Sequence, residues 1–109
     1  MSWMARDVEF TDEFGDWWDQ LNAEEQATVR AYVYCSSVET SRHDHMRELR
    51  VQHGGRPYRV LYAFDPRRTA ILLIGGDKTG DDRWYDTFVP IADKIYDRHL
   101  EQLRKEGES

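Results

Sequence analysis

A chain of 109 residues with 39% hydrophobic and 13% aromatic content can build one domain around one core, without a second lobe. Its net charge of −6 argues against a generally basic nucleic-acid binder, and its longest apolar run, Ala70–Ile74, is too short to span a membrane. The single cysteine, Cys35, leaves no intramolecular disulfide, and Met1–Phe10 lacks a basic-then-apolar leader pattern, so one cytoplasmic domain over residues 1–109, with no membrane partner, is expected.

In chain order, Arg6–Phe10 alternates weakly and reads as a short edge strand running into a cap at Thr11-Asp12. Phe14, Trp17, Trp18 and Leu21 then fall at i, i+3, i+4 and i+7, the stripe of an amphipathic helix, with Asp12 and Glu13 suited to its first turn. Both tryptophans lie on that stripe and are expected to cover the core rather than to stack on bases. Asn22 with Glu25 three residues later is a capping arrangement for a second helix, roughly Ala23–Tyr34, and the two helices make a hairpin. Cys35 reads as a small packing residue. Ser36–Asp44 is polar and loop-like. Its last residues begin a His43-Asp44-His45 alternation, but no further ligand cluster of matching type follows, so no metal is assigned.

From Met46 the period changes to two. Leu49 and Val51 face one side, with Glu48, Arg50 and Gln52 on the other. His53-Gly54-Gly55-Arg56 is a hairpin turn in which the glycines supply positive φ. In the next strand Tyr58, Val60, Tyr62 and Phe64 share one face, and Arg59, Leu61 and Ala63 the other. Asp65-Pro66-Arg67-Arg68 is a second turn, with Pro66 suited to position i+1 of type I. Thr69–Gly75, almost wholly apolar, reads as a central strand covered on both faces. Gly75–Gly80 ends it without the spacing of a phosphate-cradling loop. Trp84, Phe88, Ile91, Ala92, Ile95, Tyr96, Leu100 and Leu103 then recur at helical spacing. Pro90 suggests a short turn at Asp82–Thr87 and a helix starting near Val89. His99 on that stripe reads as a core or interface histidine.

Charge is segregated along this pattern. Residues 1–41 sum to −7, 42–68 to +4 and 69–109 to −3. The middle stretch has seven arginines, no lysine and three of the four histidines. Planar guanidinium groups at that density suit bidentate recognition of phosphate or carboxylate, although a plain solvated face accounts for the same alternation.

The ordered run RPYRVLYAFDPRR, then ILLIGGDK, then RWY and P-I-A-D-K-x-Y-D, within Met46–Leu100, resembles the HigB-like toxins of the RelE/ParE toxin–antitoxin superfamily. The resemblance implies a RelE-like α+β fold: a small antiparallel sheet (a three-stranded meander plus an N-terminal edge strand) packed by an N-terminal helical hairpin, with a C-terminal helix. It also implies a metal-independent endoribonuclease that needs no cofactor, cuts messenger RNA on the ribosome, and is neutralised by a helix-turn-helix, HigA-like antitoxin in a toxin–antitoxin hetero-oligomer. By the same resemblance Arg59 matches a catalytic arginine, and Lys78 falls near a further expected cation.

Metal-free RNA cleavage needs an activated 2′-hydroxyl, in-line attack, cations on the phosphate and an acid for the leaving oxygen. Arg50 and Arg59 on consecutive strands can lie side by side as phosphate clamps, with Lys78 near them. His53 or Glu48 could transfer protons, Glu48 serving equally well as an ion-pair partner. Arg47, Arg56, Arg67, Arg68 and Arg83 are candidate RNA- and ribosome-docking residues. The competing expectation is a protein without turnover, either an inactive member that only pairs with its antitoxin or a ParE-like topoisomerase inhibitor.

Overall fold

The computed structural model of the chain describes residues 8–35 and 46–107. Residues 6–7 of the expected edge strand, the Ser36–Asp44 loop, the His43-Asp44-His45 alternation and the Cys35 side chain lie outside that description. The elements are β1 (Val8–Phe10), α1 (Asp12–Asp19), α2 (Ala23–Cys35), β2 (Arg47–His53), β3 (Arg56–Phe64), β4 (Ala70–Asp77) and α3 (Trp84–Gly107).

Local chemistry sets the helix starts. The Thr11 hydroxyl accepts from the Phe14 N–H at 3.1 Å and donates to the Leu73 carbonyl at 2.7 Å, capping α1 and tying it to the sheet. The Asn22–Glu25 capping box forms as expected: each side chain accepts from the other's backbone N–H at 2.8 Å. Both hairpin glycines take positive φ, 57° at Gly54 and 78° at Gly55. In the second turn the Arg68 N–H donates to the Asp65 carbonyl at 2.8 Å, and Pro66 holds the i+1 position.

The strand order is β1-β4-β3-β2. The meander β2–β3–β4 is antiparallel, whereas β1 runs parallel to β4, Val8 opposite Ala70 and Phe10 opposite Leu72. The sheet is therefore mixed, antiparallel through its meander and parallel at its N-terminal edge. The helical hairpin and the meander separate β1 from β4 in the chain, so no tight turn dictates the direction of their pairing.

Two cores sandwich the sheet. On the hairpin side Phe14, Val29, Leu49, Val51, Tyr58, Val60 and Leu72 are buried, with Trp17 and Trp18 covering them. On the α3 side the core holds Met46, Leu61, Ala63, Ile71, Leu73, Trp84, Ala92, Ile95 and Tyr96. The expectation that β4 is covered on both faces holds.

Three expectations are corrected. The last strand does not end at Gly75 but runs to Asp77. An irregularity in the β3–β4 register lets Leu61 face Ile74 and Tyr62 face Leu72. Past it, Gly75 lies under Trp17 and Gly76 under Trp84, so the paired glycines are places where an indole presses on each face of a strand rather than strand terminators. Likewise α3 does not wait for Val89. It is one helix from Trp84 with Pro90 inside it. Pro90 forfeits one helical hydrogen bond, but the first turn is held from outside, because Trp84 is buried and stacks on Phe88 with ring centroids 4.6 Å apart. Ile91, placed on the apolar stripe by spacing, is exposed instead.

Candidate active site

The register of the meander puts Arg50 directly opposite Arg59 and Glu48 opposite Leu61, all on the α3 side of the sheet. Across β3, Arg59 pairs with Gly76, on which the Trp84 ring rests. Seating Trp84 there brings its neighbour Tyr85 over the strand pair. The Tyr85 hydroxyl accepts from Arg59 Nε at 3.0 Å and donates to Glu48 Oε1 at 2.6 Å. The same carboxylate oxygen accepts from Arg50 Nε at 3.3 Å and stands 3.6 Å from Arg59 Nε. Lys78, just past β4, holds its ammonium 5.7 Å from the Tyr85 ring centroid, a cation–π contact. Four of the sequence-assigned catalytic candidates, Glu48, Arg50, Arg59 and Lys78, therefore meet, and a tyrosine joins them that sequence reasoning missed. The available signal was the Trp84-Tyr85 pair at a helix start after a glycine pair, which has meaning only once the indole is seated.

The electrostatics are uneven. The Arg59 side chain is 11% exposed and that of Arg50 60%, so one cation is a fixed wall and the other a solvent-facing arm. Arg59 is braced further by a bond from Nη1 to the Tyr58 carbonyl at 3.0 Å. Burial pushes the Glu48 carboxyl up, but hydrogen bonds from Tyr85 and Arg50 and the charges of Arg50 and Arg59 outweigh it and hold the group below the usual carboxylate value. Burial and the Glu48 hydrogen bond push the Tyr85 phenol up. The cluster thus pairs an ionised carboxylate with a protonated phenol between two guanidinium groups, so a proton acceptor and a neutral donor lie within one hydrogen bond of each other.

His53 is corrected as a member of this site. It belongs to the opposite face, where Thr28 Oγ1 lies 2.8 Å from its Nδ1 and the ring stacks on Tyr58 at 13°. Tyr58 in turn donates to Glu25. The period of two that put Arg50 on the α3 side necessarily puts residue 53 on the other.

The docking candidates scatter as well. Arg47 lies over the Phe64 ring on the hairpin side. Arg83 is exposed just before Trp84, whereas Arg56, also exposed, pairs with His53 and stands by Tyr58 and Glu25 on the hairpin face. Arg67 and Arg68 are in the β3–β4 turn, eight and nine residues along the chain from Arg59 and past Phe64, which is itself roughly 17 Å from Arg59 at strand rise. Arg67 is structural: it donates to Asp65 Oδ2 at 2.7 Å and to Glu9 at 2.9 Å, and those carboxylates push its guanidinium further up. Asp65, whose side chain is fully buried, also accepts from the Thr69 N–H at 3.2 Å and lies 3.0 Å from His99 Nε2. The sequence counted Asp65 as a turn residue, whereas it ties the turn to α3. His99 accordingly turns toward the buried Asp65 with its side chain 19% exposed, within the core-or-interface expectation.

A two-faced sheet carrying a helical hairpin, a C-terminal helix and a cationic cluster at one end is a small RelE-like α+β domain. The family described as "Phage derived protein Gp49-like (DUF891)" matches residues 3–97, and the chain belongs to it. It is similar to two proteins of Mycobacterium tuberculosis (strain ATCC 25618 / H37Rv). The one named "Putative toxin HigB2" is 41% identical over 82 residues, 73% of this chain and 41% of the relative. The one named "Putative toxin HigB3" is 53% identical over 58 residues, 52% of this chain and 49% of the relative. The kinship with HigB-like toxins expected from the sequence is thus shown, and the chain spans under half the length of these relatives. No solved structure matches it. No helix among the described residues is long and apolar enough to cross a membrane.

Proposed function

We propose that this chain is the toxin of a toxin–antitoxin module and cuts messenger RNA on the ribosome without a metal, until a helix-turn-helix antitoxin binds it. The observation that carries the reading is the cross-strand Arg50–Arg59 pair, with Glu48 and Tyr85 hydrogen-bonded between them and Lys78 alongside. In the reaction the 2′-oxygen attacks the adjacent phosphorus and its proton passes to a base. The bond to the 5′-oxygen breaks, and that oxygen takes a proton. Arg59, rigid and partly buried, is placed to hold charge that builds on the phosphate, and Arg50 to reach the backbone from solvent. Glu48 is the proton acceptor nearest both arginines, and the Tyr85 hydroxyl is the nearest neutral donor. The acidic net charge is compatible with this role because the RNA contact is confined to one end of the sheet, with Arg83 as a rim cation. The names of the two mycobacterial relatives support the toxin class.

The test is induction of the chain alone, with primer-extension mapping of a translated message with and without ribosomes. Growth arrest with discrete ribosome-dependent cuts is expected. Arg59→Ala at unchanged protein level should cut on the order of 10²–10³ more slowly and restore growth. Arrest with intact messages would refute cleavage and favour an inactive or ParE-like protein that acts by binding.

A further inference from the structure

The candidate site is already occupied by an anion, namely one of its own side chains. Glu48 Oε1 takes the Tyr85 hydroxyl at 2.6 Å and the Arg50 Nε at 3.3 Å, with Arg59 Nε at 3.6 Å. A non-bridging oxygen of a phosphodiester would want the same donors: it carries the same sign of charge and accepts hydrogen bonds from guanidinium groups in the same way. Like charges cannot share those donors without repulsion. We propose that Glu48 is a gate as well as a site residue: its carboxylate holds the seat of the scissile phosphate in the free protein, and a nucleic-acid backbone binds by displacing it.

The surroundings permit the exchange. Glu48 stands on β2, at the edge of the sheet, with its side chain 21% exposed, so rotation about its own side-chain bonds brings the carboxylate to water without moving the strand. Arg59 cannot follow it, being pinned by Tyr85 and by the Tyr58 carbonyl. The guanidinium therefore stays while the carboxylate leaves. Displacement also changes the chemistry of Glu48. While it is held by two arginines and a phenol it is a poor proton acceptor; once released beside the bound backbone it loses the contacts that stabilise its charge and becomes a better base. Substrate docking and base activation are then one event, and free arginines are not left to bind stray anions.

This inference rests on the RNA-cleaving reading above, and its test separates the two. The probe is a short 2′-O-methyl RNA oligonucleotide, which cannot be cut because the attacking hydroxyl is blocked. Its affinity is measured by fluorescence anisotropy at constant ionic strength for the wild type, Glu48→Gln, Arg59→Ala and Glu101→Gln. The last removes the same charge far along α3 and should change affinity less than about twofold. Glu48→Gln should bind about tenfold tighter, and Arg59→Ala about tenfold weaker. In the unmutated protein, carbon-detected NMR should show the Glu48 carboxyl resonance moving as oligonucleotide is added, which does not depend on any variant folding. If Glu48→Gln binds no tighter while Arg59→Ala binds weaker, or if the carboxyl resonance stays still while the Arg59 Nε–H signal shifts, displacement is wrong and the RNA contact stands. If Arg59→Ala binds as well as the wild type, the RNA-contact reading fails and takes this inference with it.

Discussion

Replacing Gly76 by alanine would set a methyl group 2.8 Å from Nε1 of Trp84, 3.1 Å from Cζ2 and 3.2 Å from Cε2. The ring has little room to retreat. Trp84 is 1% exposed, stacked on Phe88 and set edge-on to Tyr85 at 5.3 Å. Overpacking of this kind costs about 1–3 kcal/mol. The alanine also restricts the unfolded chain, which returns about 0.4–1 kcal/mol, because nothing in the Gly76 backbone forbids a side chain. The net loss is about 0–2.6 kcal/mol, centred near 1.3 kcal/mol, and the central value is a fall in Tm of roughly 5–10 °C for a domain of this size. The consequence for function is larger than the stability figure suggests. Tyr85 is placed by Trp84, so moving the indole shifts the phenol off Glu48 and Arg59, and the growth arrest proposed above should weaken at temperatures where the variant is still folded. The assay is a double-mutant cycle with Trp84→Phe, followed by thermal unfolding. Phenylalanine lacks Nε1 and Cζ2, and it also removes an indole N–H that is buried without a partner among the described residues. In that background Gly76→Ala should cost less than about 0.5 kcal/mol, because the contacted atoms are gone. An equal cost in both backgrounds would refute the packing argument.

Further outcomes follow from the β3–β4 turn. Asp65→Asn keeps an oxygen for the backbone donors but strips the charge from Arg67 and His99, and should cost about 2–3 kcal/mol in urea unfolding, at the lower end for a buried pair because Arg67 is partly solvated. Asp65 also sets a pH response. Burial pushes its carboxyl up, but hydrogen bonds from Arg67 and His99 and from backbone N–H groups win and hold it below the usual value. Its stabilisation is therefore present above about pH 4 and lost as pH falls through the depressed folded value, so acid titration of stability should be shallower there in Asp65→Asn than in the wild type. Arg68 has φ of 66°, a left-handed conformation costly to a residue with a Cβ, so Arg68→Gly should raise stability by up to about 1 kcal/mol, read as an increased urea midpoint.

The helical hairpin, the meander and the apolar stripe of the last helix were legible from residue spacing, because each depends on neighbours within a few positions. The Asn22–Glu25 box and the Gly54-Gly55 turn are local devices, and they form as written. The alternation in β2 and β3 also foretold that Arg50 and Arg59 share a face. That same alternation already contained the exclusion of His53 from the face of Arg50, and it becomes decisive once both faces are known to be covered by helices.

Tertiary structure decided the rest, for reasons no local window contains. The direction of β1 depends on β4, whose paired residues lie 62 positions further along the chain. The register irregularity before Gly75 decides which glycine lies under which indole, and a slip of one residue would exchange the two faces. Trp17 and Trp84 come from helices on opposite sides of the sheet, so only the folded protein explains why two glycines must stand together in β4. Asp65 looked like turn chemistry until Arg67, itself held by Glu9, and His99 closed around it. Tyr85 became part of the site only when Trp84 seated on Gly76 carried it over Arg59. The sequence supplied the cations and their strands; the packing of one indole on one glycine supplied the hydroxyl between them.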